Sequence, residues 1–327
     1  MRVLVTGASS LLGAETARRL LARGNEVRVF QRRPSGLDVQ ELLGDVGNPA
    51  ATEDAVRDVD GVVHLAAKVG IVGTWPEYEQ TNVRGTTNLI DAARNAGVTR
   101  FVYVSSPSVA HSGASLMGAG AGTAEPDATR GDYARSKALA ELAALAAHRE
   151  AFSVVAIRPH LVWGPGDTQF VGRIIDRARR GRLAVLGSGA ALIDTTYIDN
   201  AADALVAAVE RAPQIGGRAF VVSNGQPRPV REIFNRIMAA AGLEPIRRTI
   251  PATLARTGAS AVEQAWTRSG RADEPPITRF VAEQLSTAHW FDQRETRRSL
   301  EWAPSVSLDE GFARLREWFG QGVVDPD

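Results

Sequence analysis

Short apolar runs alternate with amphipathic stretches through the first half of the chain. The runs that predict buried strands lie at residues 3–5, 27–30, 42–44, 62–66, 101–104 and 154–157. Between them, apolar positions recur with helical spacing, and the longest such stretch covers residues 77–95. This alternation is typical of a parallel sheet whose two faces are covered by helices. The pattern therefore predicts an α/β fold with a Rossmann-type, doubly wound sheet of six or seven parallel strands.

The second half of the chain continues the alternation with longer connections. Helices are predicted at residues 170–180, 200–211 and 230–241, and strands at 183–186 and 218–222. Roughly the last 80 residues are mainly helical in pattern. We therefore expect a main domain over residues 1–165, to which parts of 190–225 return, and a smaller, mainly C-terminal domain over residues 166–327.

A stretch rich in glycine, alanine and serine interrupts this alternation. Between residues 112 and 131 the sequence shows neither helical nor strand periodicity. Loops of this length in compact domains are usually lids or segments without fixed structure. The pattern predicts a loop here.

The composition narrows the range of functions. The 327 residues carry a formal net charge of +1, which gives no reason to expect nucleic acid as a partner. Cysteine is absent, so disulfides, thiolate metal sites and cysteine nucleophiles are excluded. The five histidines show no spacing typical of metal ligands, and no metal is expected. A hydrolase motif of the Gly-x-Ser-x-Gly kind is also missing.

The sequence also bears on location. No run of about 18 or more apolar residues occurs, so no membrane-spanning segment is expected. Strand-like residues begin at Arg2, which leaves no room for a signal peptide. We therefore expect a cytoplasmic protein.

A glycine-containing turn follows the first strand directly and opens the first helix. It reads Thr6-Gly7-Ala8-Ser9-Ser10-Leu11-Leu12-Gly13. Backbone N–H groups at a helix N-terminus bind phosphate, and glycine lets the backbone approach a pyrophosphate closely. Ser10 replaces the middle glycine of the usual dinucleotide-binding pattern. The segment predicts a dinucleotide-binding turn formed by Gly7, Ser9, Ser10, Leu11, Leu12 and Gly13.

The end of the second strand bears on the choice of dinucleotide. A carboxylate there would accept hydrogen bonds from the adenosine ribose and repel a 2′-phosphate. The chain has neutral Gln31, followed by Arg32 and Arg33, and guanidinium groups bind phosphate in bidentate fashion. We therefore expect NADP(H) as the cofactor, with NAD(H) less favoured. Asp45 and Val46, after the third strand, are expected at the adenine, where the carboxylate could accept from the amino group.

The strongest chemical signal is a tyrosine four residues before a lysine. The chain has two lysines against 36 arginines, and Lys137 follows Tyr133 at the spacing that places both on one helix face. Ser106 ends the fifth strand 27 residues before Tyr133. A cation about 4 Å from the phenol, at an effective dielectric constant near 20, contributes roughly 4 kcal/mol, or about three pKa units. We therefore expect Lys137 and the charge of an oxidised nicotinamide to bring the pKa of Tyr133 near neutrality, while Ser106 holds the substrate oxygen.

The fourth strand ends at the same edge of the sheet, where ligands bind in doubly wound folds. Its last residues are His64, Leu65, Ala66 and Ala67, followed by Lys68, the second lysine. The Leu65–Ala67 backbone is expected at the cofactor and Lys68 at the substrate. A solvated loop cation explains Lys68 about as well. His64 is expected to pack in the core.

Taken together, these segments resemble the extended short-chain dehydrogenase/reductase superfamily over essentially the whole chain. The resemblance rests on residues 6–13, Asp45, residues 64–67, Asn82, Ser105-Ser106, Tyr133 with Lys137, Arg158-Pro159, residues 163–167 and residues 196–201. The departures are Ser10 for glycine and Trp163 where tyrosine is usual. The resemblance implies that Ser106, Tyr133 and Lys137 are catalytic. It further implies cofactor contacts at Asn82, Pro159, Leu161 and Val162, and substrate contacts at Ser108 and His160.

The residue type at position 193, isoleucine in this chain, helps to distinguish two branches of this superfamily. Nucleotide-sugar epimerases and dehydratases tend to carry an arginine at this position, which grips the phosphates of the sugar nucleotide. The chain instead resembles the 3β-hydroxysteroid dehydrogenase branch, and within it the bacterial 2-alkyl-3-oxoalkanoate reductases of long-chain olefin biosynthesis. Residues 106–109, 194–200 and 275–290 carry this likeness.

The resemblance implies an NADPH-dependent reductase that converts a ketone to a secondary alcohol on a lipophilic substrate. A 2-alkyl-3-oxoalkanoate, reduced to the 3-hydroxy acid, is the favoured substrate, with Lys68 near its carboxylate. A 3β-hydroxysteroid dehydrogenase is the second interpretation and a sugar-nucleotide epimerase or dehydratase the third. The fourth is a non-catalytic dinucleotide sensor, although such relatives usually lose the tyrosine or lysine that Tyr133 and Lys137 supply here. Relatives often pair through the helix of this motif, so a homodimer is expected.

Overall fold

The computed structural model describes residues 1–70, 73–110, 113–269 and 279–322, and the structural statements below concern these residues. Its strands are β1 (Arg2–Thr6), β2 (Glu26–Gln31), β3 (Gln40–Leu43), β4 (Gly61–His64), β5 (Arg100–Val104), β6 (Leu116–Ala119), β7 (Ser153–Pro159), β8 (Val162–Trp163), β9 (Val185–Leu186), β10 (Leu192–Ile193), β11 (Thr196–Tyr197), β12 (Ala219–Val222), β13 (Arg228–Pro229), β14 (Thr249–Ile250) and β15 (His289–Phe291). A seven-stranded parallel sheet has the order β12-β7-β5-β4-β1-β2-β3. The predicted Rossmann-type sheet is confirmed.

Helices cover both faces of this sheet. They are α1 (Leu11–Ala22), α2 (Pro49–Ala55), α3 (Trp75–Tyr78), α4 (Gly85–Asn95), α5 (Gly131–Ala146), α6 (Val171–Arg179), α7 (Ile198–Ile215), α8 (Val230–Ala240), α9 (Ala252–Ser269), α10 (Arg279–Ser286), α11 (Arg294–Leu300) and α12 (Leu308–Gly320). Leu20 of α1 and Leu205 of α7 are buried on one face, and Leu89 of α4 and Ala140 of α5 on the other. Each buried leucine contributes about 1.5–3 kcal/mol. None of the helices in the described ranges has the length and apolar character needed to cross a membrane.

A second, smaller sheet has the order β13-β10-β15-β6. In it β10 runs antiparallel to β13, whereas β15 is parallel to both β10 and β6. The prediction of a loop over residues 112–131 is therefore wrong at residues 116–119, which form β6. Leu116 pairs with His289, and a partner so far along the chain leaves no trace in local periodicity.

Four elements also have boundaries that differ from the predictions. The helical stretch predicted at residues 77–95 begins at Trp75, and Glu79–Arg84 within it is a π-helix. The strand predicted at 183–186 is confined to β9, and the helix predicted at 200–211 extends over the whole of α7. The strand predicted at 62–66 ends at His64. Beyond it, the amide of Ala66 donates to the Thr6 hydroxyl at 3.0 Å and not to a backbone carbonyl of the neighbouring strand.

Candidate active site

The turn between β1 and α1 is closed by a serine. Ser10 is the N-cap of α1, where its Oγ accepts from the Gly13 amide at 3.1 Å and donates to the Gly7 carbonyl at 2.7 Å. The serine that replaces a glycine thus satisfies two backbone groups of the turn. Ser9 and Ser10 are exposed, and Leu11 and Leu12 are partly buried, so the outer side of the turn is open.

Two glycines make this turn a cradle. Gly7 has a φ of +75°, and a Cβ on it would lie 2.9 Å from the Ala66 nitrogen. A Cβ on Gly13 would collide with the Gly7 carbonyl oxygen. The backbone of the turn therefore carries no side chain at these two positions, beside the N-terminus of α1. Such a cradle fits the pyrophosphate of a dinucleotide.

A carboxylate on β3, that of Glu41, lies beside the end of β2 and was not predicted from the sequence. The Nε2 of buried Gln31 donates to Oε1 of Glu41 on β3 at 2.6 Å, and the amide and hydroxyl of Ser35 donate to the same oxygen. These hydrogen bonds, Ser35 first, lower the pKa of Glu41. Because Nε2 faces the carboxylate, the buried Oε1 of Gln31 faces the other way and has no hydrogen-bond partner among the described residues. A ribose hydroxyl would supply the missing donor. The pairing of Glu41 with Val29 places it diagonal to Gln31, a relation visible only once the strand register is known.

Two arginines follow Gln31 and lie in solvent. Arg32 and Arg33 are both exposed, and the Arg32 guanidinium lies 3.9 Å from Oδ2 of Asp45. The other carboxylate oxygen of Asp45 accepts from the Gly47 amide at 2.8 Å. Val46 is buried next to it. Both guanidiniums are thus placed beside the end of β2, where a 2′-phosphate could contact them.

Tyr133 lies in the first turn of α5, with its phenol against Ser106. The Ser106 hydroxyl hydrogen-bonds the phenol and lies 2.9 Å from the hydroxyl of buried Ser108. Burial raises the pKa of Tyr133 to about 12, while the Ser106 hydrogen bond opposes this increase. The structure thus brings together Tyr133, Ser106 and Ser108.

Lys137 lies one turn further along α5 and is 3% exposed. Its ammonium donates to the Val104 carbonyl at 2.6 Å and lies 4.2 Å from the centre of the Tyr103 ring. Burial lowers the pKa of Lys137 to about 7, although the Glu141 carboxylate opposes the decrease. Among the influences within the chain, burial outweighs every other effect on the pKa of the Tyr133 phenol. The joint effect of Lys137 and an oxidised nicotinamide on this pKa stays a prediction.

His64 forms a buried hydrogen-bond chain between the cradle and the π-helix. Its Nδ1 lies 2.7 Å from the Thr6 hydroxyl, and its Nε2 lies 3.0 Å from the Thr86 hydroxyl. The Thr86 proton goes to the Asn82 carbonyl, so Thr86 must accept from Nε2–H, and Nδ1 accepts from Thr6. Burial, with a smaller contribution from Lys137, lowers the pKa of His64 to about 3. His64 is thus a neutral, structural residue.

Lys68 and Asn82 both have partners within the chain. The Lys68 ammonium lies 3.6 Å from a Glu77 carboxylate oxygen and 5.4 Å from the centre of the Tyr78 ring. The Asn82 amide accepts from the Lys68 backbone N–H at 2.7 Å and donates to the Lys68 carbonyl and the Ser136 hydroxyl. Asn82 therefore fixes the backbone after β4 to α5. Its side chain is fully engaged in that task.

The remaining predicted residues lie along β7 and β8. His160 is buried, with Nδ1 at 2.5 Å from the Asp194 carbonyl and its ring 5.1 Å from that of Phe291. His160 thus packs between the two sheets, and its substrate contact stays a prediction. Leu161 has a φ of +44°, an unfavourable conformation for a non-glycine residue that costs about 1–3 kcal/mol and is common at functional sites. Pro159 and Val162 lie on either side of this bend.

The described geometry supports one kind of chemistry. A backbone cradle for phosphates, a phenol bonded to a hydroxyl, and a buried cation lie at the carboxyl edge of one sheet. A ketone held by the phenol and the Ser106 hydroxyl would have a proton donor at its oxygen. The described residues contain no cluster of three or more His, Asp or Glu side chains suited to a metal ion.

Comparison with known proteins agrees with this description. A family described as the NAD dependent epimerase/dehydratase family matches residues 3–223. The chain is 41% identical over 325 residues to the 2-alkyl-3-oxoalkanoate reductase of Stenotrophomonas maltophilia, a match that covers 97% of this chain and 98% of the relative. It is 30% identical to the 3-beta-hydroxysteroid dehydrogenase of Mycolicibacterium neoaurum, covering 97% of this chain and 91% of the relative. The solved structure of MoeE5 in complex with UDP-glucose and NAD superposes with a TM-score of 0.75 at 27% identity, over 99% of this chain and 100% of that one.

Proposed function

Since the chain belongs to the NAD dependent epimerase/dehydratase family, an extended short-chain dehydrogenase/reductase family, we propose that it reduces a ketone on a lipophilic substrate. The proposed reaction converts a 2-alkyl-3-oxoalkanoate to the 3-hydroxy acid with NADPH. The observation that carries the proposal is the Tyr133 phenol, hydrogen-bonded by Ser106, with Lys137 buried one turn behind it. In this arrangement Tyr133 is the acid that donates a proton to the substrate oxygen, and Ser106 orients that oxygen.

The residues that would hold the cofactor lie around the cradle. The amides of Gly7, Ser10 and Gly13 are bonded within the chain, so those of Leu11 and Leu12 at the start of α1 would bind the pyrophosphate. Gly7 and Gly13 leave room for it, and Gln31 provides an acceptor for the adenosine ribose. A bound nicotinamide dinucleotide supplies the hydride for the reduction. Lys137 is the residue that would join the ribose of the nicotinamide to the phenol of Tyr133, since it follows Tyr133 by four residues on the same helix face.

NADPH is the proposed form of the cofactor. Exposed Arg32 and Arg33 support it, because guanidinium groups bind a 2′-phosphate in bidentate fashion. Glu41 and the free Oε1 of Gln31 oppose it, because both are acceptors at the same strand end. Nucleotide fluorescence would decide: we expect a lower Kd for NADPH than for NADH, and an Arg32→Ala/Arg33→Ala variant in which the two Kd values converge. A native chain that binds NADH more tightly would contradict the preference.

The substrate class rests on the relatives and on Ile193. A relative 41% identical is named for reducing 2-alkyl-3-oxoalkanoates, and Ile193 is buried where sugar-nucleotide enzymes tend to carry arginine. Lys68 is the proposed partner of the substrate carboxylate, which would compete with Glu77 for the ammonium. Steroids are the second candidate, supported by the 30% identical steroid dehydrogenase.

One assay separates these candidates. The oxidation of NADPH is followed with 2-alkyl-3-oxo acids of several chain lengths, 3-ketosteroids and sugar nucleotides side by side. We expect turnover with the 2-alkyl-3-oxo acids and a kcat/KM that falls when the carboxylate is masked as an ester. Turnover confined to steroids or sugar nucleotides would move the assignment to that class, and dinucleotide binding with no turnover would indicate a sensor.

We further propose how the chain is organised. Residues 1–165, with parts of 190–225, would bind the dinucleotide, and residues 166–327 would mainly bind substrate. A homodimer through α5 is supported by its outer face, where Leu142 is exposed and Leu139 is only partly buried. A cytoplasmic location is the third element of the proposal.

A further inference from the structure

A buried ion pair joins α5 to the main sheet outside the residues assigned above. Arg158 on β7 and Glu141 on α5 have side chains that are each 1% exposed. The guanidinium donates to both carboxylate oxygens, from Nε at 2.9 Å and from Nη2 at 2.5 Å. It also donates to the carbonyls of Ala121 and Gly122, in the segment that follows β6. The pair therefore connects the helix of Tyr133, the main sheet and the smaller sheet.

Buried charges of this kind are a poor source of stability. Removing two charged groups from water costs several kcal/mol for each ion, and well-packed apolar residues of similar volume often stabilise a fold as well or better. Leucine and methionine could hold α5 against β7 at these positions. The pair therefore calls for an explanation other than stability, and its surroundings provide one.

Glu141 lies one helical turn after Lys137, so both side chains lie on the same face of α5. The ammonium of Lys137 is buried against the Val104 carbonyl and the Tyr103 ring, which offer it no opposite charge. His64 on β4 is neutral, and the phenols of Tyr103 and Tyr133 have raised pKa values and are neutral as well. Of the groups around Lys137 named here, Glu141 alone is an anion.

We infer that Glu141, held in place by Arg158, is a positioning residue that keeps the buried Lys137 ammonium charged behind Tyr133. The inference rests on the proposed function for its catalytic meaning. The effect of Glu141 on the pKa of Lys137 can be measured without an activity assay. Burial alone would favour neutral lysine, so Glu141 is expected to oppose that effect. Arg158 fixes the carboxylate in a single orientation and couples it to the segment after β6. This role could not be predicted from the sequence, because glutamate in a helix and arginine at a strand end are both usually solvated.

The scarcity of lysine makes a direct test possible. Lysine labelled with ¹³C at Cε gives one signal each from Lys68 and Lys137, and a Lys68→Arg variant assigns them. The pH titration of the Lys137 signal is compared in the native chain, Glu141→Gln and Glu53→Gln, a control in which an exposed glutamate on α2 is neutralised. We expect the Lys137 midpoint to move to lower pH by about one pH unit in Glu141→Gln and to stay in place in the control.

A double variant separates this role from mere packing. Glu141→Leu/Arg158→Met replaces the ion pair by apolar side chains, so we expect a melting temperature close to the native one and a Lys137 midpoint still at lower pH. The basic limb of the pH profile of kcat should move in the same direction as the midpoint. The inference is overturned if Lys137 titrates as in the native chain in either variant. Failure of all ketone substrates would overturn the proposed function and leave the titration result standing.

Discussion

At the scale of single residues, the catalytic assignment depends on a contrast between partly buried Tyr133 and buried Lys137 on α5. Burial favours the neutral form of both, and it raises the pKa of Tyr133 to about 12 while it lowers the pKa of Lys137 to about 7. A neutral phenol is a proton donor, so the surroundings of Tyr133 suit the reductive direction. With a pKa of about 7, Lys137 is only partly protonated at neutral pH. The nearby Glu141 carboxylate, which favours the protonated form, is therefore important for the proposed reaction.

The role of Tyr133 can be tested by removing one oxygen. Tyr133→Phe keeps the ring that packs in the site and loses the proton donor, so kcat/KM should fall by at least about 100-fold. The Kd for NADPH should stay within about threefold of the native value, since the phosphate cradle is untouched. Steady-state kinetics and nucleotide fluorescence give both values. Tyr197→Phe, at a buried tyrosine of β11, is the matched control, and retained turnover in Tyr133→Phe would remove Tyr133 from the mechanism.

The burial of Lys137 should appear in the pH dependence of stability. Its pKa is about 7 in the folded chain and 10.5 in its unperturbed state, so between these pH values the unfolded state holds one more proton. Stability due to this group must then rise with pH, by about 1.4 kcal/mol per pH unit. Urea unfolding between pH 7.5 and 9 should show this rise in the native chain and its loss in Lys137→Met. In the control Lys68→Met, the free energy of unfolding should rise with pH as it does in the native chain. If it depends on pH in the same way in all three chains, Lys137 is not buried as described.

At the scale of elements, the N-terminus of α1 combines a cap with a steric requirement. Ser10 closes the turn, and Gly13 packs against the Gly7 carbonyl with no room for a methyl group. The phosphate site is therefore a property of the whole turn, because moving any part of it moves the amides. A substitution that leaves every polar group in place should still abolish the site.

Gly13→Ala provides that substitution. The added methyl group would collide with the Gly7 carbonyl and push the turn open, so we expect the Kd for NADPH to rise at least tenfold and the melting temperature to fall. Gly120→Ala is the control, because a Cβ there meets nothing within 4 Å. Calorimetric titration and thermal unfolding are the measurements. Native affinity in Gly13→Ala would mean that the dinucleotide does not lie on this turn.

Among the elements, the features set by local sequence could be predicted, and those set by distant partners could not. The strands of the main sheet and the Tyr133–Lys137 motif were found because local periodicity and spacing determine them. Other features depend on distant partners: β6 exists through its pairing with β15, and Glu41 meets Gln31 only through the register of β2 and β3. Glu141 and Arg158 belong to the second group, since their burial follows from packing between a helix and a strand. Sequence spacing carries no information about such contacts.

At the scale of the whole molecule, the outer face of α5 is apolar where a surface helix is usually polar. Leu142 is 38% exposed, Leu139 is partly buried and Ala146 is exposed, while the inner face carries Lys137 and Glu141. Exposed apolar side chains that lie together on a helix often mark an interface, and a second copy of the chain would bury these. Pairing through α5 would also hold the two catalytic helices of a dimer against each other.

This association can be tested with a single charge. Leu142→Glu would place two carboxylates in the contact between paired α5 helices, so we expect the dimer to dissociate into monomers in light scattering after size-exclusion chromatography. Leu21→Glu is the matched control, because Leu21 is an equally exposed leucine, 41% accessible, on α1. It should leave the mass of a dimer unchanged. A native chain that is monomeric at micromolar concentration, or a Leu142→Glu variant that stays dimeric, would show that the apolar face of α5 serves another purpose.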